Sequence, residues 1–255
     1  MGSVGWLAVS VVLAVLAGGW IALGQLVVPP LLRWAAAAAL GYTVAGWVLQ
    51  RKGRSAVGTS GGGARDFAVF AGVLVGTVSA AFVSGMAVLI GLVALAAMIG
   101  YARLPERHGL LGDLALAALA GLPFAFGASA VAHTAGGIIP WILAAWIYLL
   151  RAMVADLETE SLDRTRGRWT VAVRLGRSRA TMLSAIVALA FIPASLILPA
   201  RGGYSMAYFL LAMFAQLAVL VTAARLIVGR TDRVSALLKG AMVVGAVALV
   251  AGRVR

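Results

Sequence analysis

The 255-residue chain has no cysteine and no asparagine, three glutamines, two lysines, and eight acids against 21 basic residues. Each shortage removes a class of chemistry. Without cysteine there is no disulfide, no thiolate metal site and no cysteine nucleophile, and the redox compartment leaves no trace. The two histidines, His108 in a basic loop and His133 beside Thr134 and Gly136, have no partner at ligand spacing, so the usual zinc patterns are missing. Gly61-Gly62-Gly63 lacks the Gly-Lys-Ser/Thr ending of a P-loop and reads as a flexible loop. No stretch is polar enough for a soluble domain, and no convincing short repeat is present.

What the chain does have is apolar length. Hydrophobic residues make up 63% of it, and the mean hydropathy is +1.03, far outside the soluble range. Apolar runs of spanning length fall at 4–28, 31–49, 67–83, 85–102, 113–131, 135–152, 180–198, 205–227 and 235–252. These predict an all-α membrane protein, a single bundle of nine transmembrane helices over residues 1–255. The first run has no basic flank before it and is long enough to cross, so it reads as a helix and not as a cleaved signal. Val28-Pro29-Pro30 breaks the chain after it. Gly72 and Gly76 form a GxxxG spacing, a weak sign of close helix approach in a chain with 31 glycines.

A net charge of +13 invites a nucleic-acid reading, but the basic residues are spread among apolar runs. That distribution argues for anionic headgroups or an anionic substrate and against nucleic acid. The connections after runs two, four, six and eight hold 17 of the 21 basic residues, and all eight acids lie on or beside them. The positive-inside rule therefore puts these connections and the N-terminus in the cytoplasm and the C-terminus outside.

Half of the acids sit in one stretch, Arg151 to Gly176. On a helix, Asp156, Glu160 and Asp163 recur at i, i+4 and i+7 and share a face. Such a stripe suits Mg²⁺, a hard cation that joins carboxylates to substrate phosphates. The alternative is a solvated turn whose acids pair with Arg164, Arg166 and Arg168. Acids beside membrane spans are costly and tend to mark function.

The same stretch resembles the second signature region of the UbiA superfamily of intramembrane prenyltransferases, nearest the branch with digeranylgeranylglyceryl phosphate synthases and chlorophyll synthases. The matching residues are Arg151, Asp156, Glu158, Glu160, Asp163, Arg164, Gly167, Thr170 and Gly176, with Leu162 where the family has Gly. A second stretch, Tyr101 to Gly112-Asp113-Leu114 and on to Leu122-Pro123-Phe124 and Gly127, is similar to another family segment, with Asp113 in place of its Asn. The resemblance implies a nine-helix bundle around a central cavity. It also implies transfer of a prenyl group from an isoprenoid diphosphate to a lipid or aromatic acceptor, the ether-lipid type favoured.

Carried onto this chain, the resemblance makes Asp156, Glu160 and Asp163 the Mg²⁺ ligands. Tyr101 becomes an aromatic face for an allylic cation or, on its residue type alone, an interfacial anchor. Arg54, Arg103, Arg107, Arg151 and Arg164 become phosphate-binding groups. The first Asp-rich family motif is missing: Ala45, Gly46, Leu49 and Gly53 stand where its Asn and acids belong, and Asp66 is the only nearby carboxylate. Asp113 reads as the N-cap of the run beginning at Leu114 or, turned into the cavity, as a replacement ligand. The loss opens a second function, a catalytically silent homologue serving as a lipid-binding or partner-binding membrane subunit. A transporter reading lacks the expected broken helices and repeat symmetry.

Overall fold

The computed structural model describes residues 4–54, 62–103, 109–165, 167, 169–231 and 234–254, with side chains omitted at 4–6, 50–54, 62–65 and 101–103. Ten helices follow in order: α1 (Val4–Leu23), α2 (Pro30–Arg54), α3 (Gly62–Ala81), α4 (Gly85–Arg103), α5 (Gly109–Ala130), α6 (Thr134–Thr165), α7 (Val171–Leu175), α8 (Arg177–Arg201), α9 (Met206–Ile227) and α10 (Val234–Ala251). Among the described residues there is no strand. All except α7 follow the apolar runs in order. By length and composition, α5, α6, α8, α9 and α10 are long and apolar enough to cross a membrane, while α1, α3 and α4 carry shorter apolar stretches. The expected all-α membrane fold is thus present, and the chain is an integral membrane protein.

The helix ends follow from local chemistry. Gly24 adopts a φ of +71°, which a side chain resists, so α1 stops before the predicted Val28. Pro30 opens α2, where a missing amide leaves no intrahelical bond unmade. Between α3 and α4 the reversal takes three residues, and the Ser84 hydroxyl accepts the Ala87 N–H at 3.1 Å as a cap.

The chain forms two compact units. The first comprises Met1–Leu104 and Leu122–Ile138. Its centre is α2, which packs on α1, α3 and α4. The Gly72/Gly76 pair is used here: a Cβ on Gly41 would meet the Gly72 carbonyl oxygen at 2.6 Å, and one on Gly76 would meet the Tyr42 ring at 3.0 Å. The backbones of α2 and α3 therefore touch. Tyr42 lies in that notch and donates to Thr77 Oγ1 at 3.2 Å.

The second unit comprises Pro105–Gly121 and Ile139–Arg255. Here α9 packs on both α8 and α10. Pro199 inside α8 has no N–H to give the Ser195 carbonyl, and that carbonyl accepts the Tyr208 hydroxyl from α9 at 2.6 Å. Gln216 donates to Ser195 Oγ at 3.1 Å one step further along. The freed backbone acceptor is thereby satisfied within the protein, as a hydrocarbon surrounding requires. In the α8–α9 connection, burial pushes the Tyr204 phenol above its ordinary pKa.

Candidate functional site

Helix α6 runs 32 residues, to Thr165. That is about 48 Å of helix against about 30 Å of hydrocarbon, so its last turns, which carry the acids, stand past the end of a span entered at Thr134. The acidic stretch is helical as expected, but its carboxylates have separate partners. Asp156 Oδ2 accepts the Val171 N–H at 3.3 Å. It thereby caps α7 from a neighbouring helix, since Thr170 at the N-cap makes no such bond with its own hydroxyl. Glu158 accepts the Ser235 N–H at 3.4 Å, in the first turn of α10.

Glu160 pairs with Arg164 at 3.1 Å and with Arg177 at 3.6 Å. Asp163, only 3% exposed, accepts the Thr159 hydroxyl at 2.8 Å. Among the described residues no three His, Cys, Asp or Glu side chains stand together as a metal cage. The i, i+4, i+7 stripe is real on the backbone, yet its acids diverge because arginine, threonine and helix amides draw them apart.

The structure instead sets Asp156 in the same compact unit as Asp113. Helix α5 starts at Gly109, so Asp113 lies inside the first turns and is not the N-cap that the sequence pattern predicts. Gly109, the first described residue of the helix, has a φ of +48°, and a Cβ there would meet Arg174 Cδ at 3.3 Å and the Trp169 carbonyl oxygen at 3.4 Å. Asp113 lies within electrostatic range of Asp156. Its Oδ2 is buried with no hydrogen-bond partner among the described residues, as are Arg151 Nε and Thr170 Oγ1. Buried polar atoms are nearly always paired, and the described residues of this unit leave five without a partner, Tyr204 Oη and Thr222 Oγ1 being the other two; Asp113 Oδ2 and Thr170 Oγ1 lie around Asp156, a place suited to a polar ligand. Arg151 also lies over the Tyr148 ring at 5.6 Å.

Arg177 is a residue the sequence pattern did not single out. It donates to the Leu157 carbonyl at 3.2 Å and to Thr231 Oγ1 at 3.0 Å besides facing Glu160. The signal was its place as the first residue of α8, directly after Gly176. Of the other predicted site residues, Tyr101 and Arg103 end α4 and Arg54 ends α2. Their side chains, and Arg107 and His108 entirely, lie outside the described residues, as do Ser60 and Gly61. His133 is exposed in the α5–α6 connection.

Three of the positions where the missing first motif belongs, Ala45, Gly46 and Leu49, are packed in the first unit. Ala45 is fully buried and lies against Gly72, and a Cβ on Gly46 would meet Met98 Cε at 2.5 Å. Leu49 packs on the same cluster.

Apolar spanning helices with carboxylates and arginines gathered past a span end define an integral membrane protein with its charged groups at the bilayer boundary. Residues 60–246 match the UbiA prenyltransferase family, and the chain belongs to it. It is 31% identical to the digeranylgeranylglyceryl phosphate synthase of Thermococcus kodakarensis over 63% of this chain, and it spans 57% of the length of that relative. It is 30% identical to the synthase of the same name from Halobacterium salinarum, over 78% of this chain and 71% of the relative. In fold it matches a solved structure from work on digeranylgeranylglyceryl phosphate synthase in membranes, with a TM-score of 0.81 at 15% identity over 97% of this chain and 92% of the other. It also matches the apo structure of a UbiA homologue from Aeropyrum pernix K1, with a TM-score of 0.78 at 17% identity over 97% and 98% of the two chains. At these identities the structural likeness is one of fold. The family resemblance read from the two signature stretches is borne out.

Proposed function

We propose that the chain binds an isoprenoid diphosphate through Mg²⁺ and transfers its prenyl group to a lipid acceptor of the ether-lipid type. The observation that carries this reading is the buried Asp113 carboxylate oxygen, left without a partner among the described residues and within electrostatic range of Asp156. Hard oxygen donors in that number fit Mg²⁺, which is commonly held by one or two carboxylates plus substrate phosphates. Asp156 and Asp113 would hold the ion. Glu160 and Asp163, the rest of the expected set, would join by giving up Arg164 and Thr159. Bound there, Mg²⁺ supplies charge neutralisation for the departing diphosphate.

The chain's own groups do the rest. Arg151 and Arg164 supply donors to phosphate oxygens, with Arg54, Arg103 and Arg107 assigned the same role and Tyr101 a cation-facing one. The allylic C–O bond breaks with its electron pair leaving on the diphosphate. The acceptor hydroxyl oxygen then bonds to that carbon and gives up its proton. In this reading the bundle is one nine-span transmembrane domain with the N-terminus and even connections cytoplasmic and the C-terminus outside.

A second reading, a silent homologue that binds lipid or a partner membrane subunit, is favoured by one observation: Ala45 and Gly46, at first-motif positions, are buried packing residues, and Leu49 is half-buried beside them. Diphosphate release by the purified protein decides between them, with Mg²⁺ and geranylgeranyl diphosphate, with and without geranylgeranylglyceryl phosphate. Acceptor-dependent release that Asp156→Asn abolishes supports the transferase. No release, with Mg²⁺-dependent retention of the diphosphate, supports the silent homologue.

A further inference from the structure

The site around Asp156 leaves α9 and α10 without a role, yet these two spans enclose an open groove of about 490 Å³. Its walls are two helical stripes, Phe214, Ala218 and Arg225 on α9 and Ala236, Gly240 and Val244 on α10. The small residues in the middle make the hollow: a Cβ on Gly240 would meet nothing within 4 Å. Phe214 is 62% exposed, so the hollow opens outward from the helix pair.

One end of the groove is charged and the rest is apolar. Arg225 lies in the last turn of α9, where a span reaches headgroup level, and Arg230 and Lys239 are exposed nearby. Among the described residues, Glu158 comes to this end, where it accepts the Ser235 N–H at 3.4 Å. From Arg225 to Phe214 is eleven residues, about 16 Å along a helix, or half of the roughly 30 Å hydrocarbon core. That is the depth of one leaflet. The volume falls within the range of small-molecule sites.

We infer that this groove holds one anionic phospholipid of the surrounding bilayer, its phosphate at Arg225 and one chain laid between Ala218 and Gly240. The guanidinium carries five donors, so it bonds a phosphate alongside its contacts within the protein. The site is independent of the proposed transferase activity.

The test uses the full chain in nanodiscs of equal phosphatidylcholine and phosphatidylglycerol, released into detergent, with retained lipid counted by native mass spectrometry. Wild type should keep one phosphatidylglycerol, enriched roughly fivefold over phosphatidylcholine, the factor expected from one arginine at a membrane surface. Gly240→Leu should lose it while melting as wild type. Gly245→Leu, also into open space but outside the groove, should keep it. Arg225→Gln should keep a lipid but lose the preference. A wild type without a discrete lipid, equal retention of both headgroups, or full retention in Gly240→Leu overturns the assignment. So does mole-for-mole displacement by an isoprenoid diphosphate, which would make the groove a substrate site.

Discussion

Replacing Asp156 by asparagine separates the two jobs this side chain has been given. The amide oxygen still accepts the Val171 N–H, bonded at 3.3 Å in the wild type, so the cap on α7, about 0.5–1 kcal/mol for a long bond of this kind, survives. What goes is the negative charge beside Asp113. Without Mg²⁺ the variant should therefore melt at or above the wild-type temperature, because a like-charge repulsion has been removed. With Mg²⁺ at ten times its dissociation constant, the wild type should gain about 1.4 kcal/mol by mass action. For a chain of this length that is a rise of roughly 3 °C. Asp156→Asn should gain none of it, and Asp156→Ala should lose the cap as well. The assay is a thermal melt in detergent over a Mg²⁺ series. An undiminished Mg²⁺ shift in Asp156→Asn would refute the pairing of Asp113 and Asp156 as an ion site.

Tyr208→Phe strips the Ser195 carbonyl of its 2.6 Å donor opposite Pro199 and should cost about 1–3 kcal/mol, read as a lower melting temperature. Arg177→Ala removes donors from the Leu157 carbonyl and Thr231. It should destabilise by about 1–2 kcal/mol, with Arg177→Lys restoring only part because a lysine lacks the planar fork. Gly72→Leu should prevent purification of folded protein, since a Cβ there already meets the Gly41 carbonyl oxygen at 2.8 Å, whereas Gly240→Leu should purify normally. Gly46→Asp should lower stability without raising diphosphate release, because the new carboxylate would enter the Met98 contact.

Most of the helix order was legible from apolar length alone, since burial in lipid leaves few alternatives to a helix. The failures lie where single residues outweigh the run. Asp113 looked like a cap because the apolar run starts after it, yet the helix already includes the four residues before it, from Gly109. The acid stripe was correct as helical geometry, but periodicity does not reveal that Arg177, sixteen or more residues away in sequence from each acid it could meet except Asp163, comes back to take Glu160. Nor does it show Asp156 being claimed by the amide of a five-residue helix. The GxxxG pair, discounted among 31 glycines, proved to be the contact between α2 and α3.

That contact constrains how the chain can change. Ala45 and Gly46 lie in a seam where Gly41 and Gly72 bring two backbones together and Met98 fills the remaining space. A carboxylate at Gly46 would have to displace the Met98 side chain, whose Cε and Sδ lie 2.5 and 2.8 Å from a Cβ built there, and one at Ala45 would enter the seam against Gly72. A carboxylate set at either position would therefore be a charge inside a packed seam, and each such variant should fold less well than the present chain until Met98 or the Gly72 contact gives way.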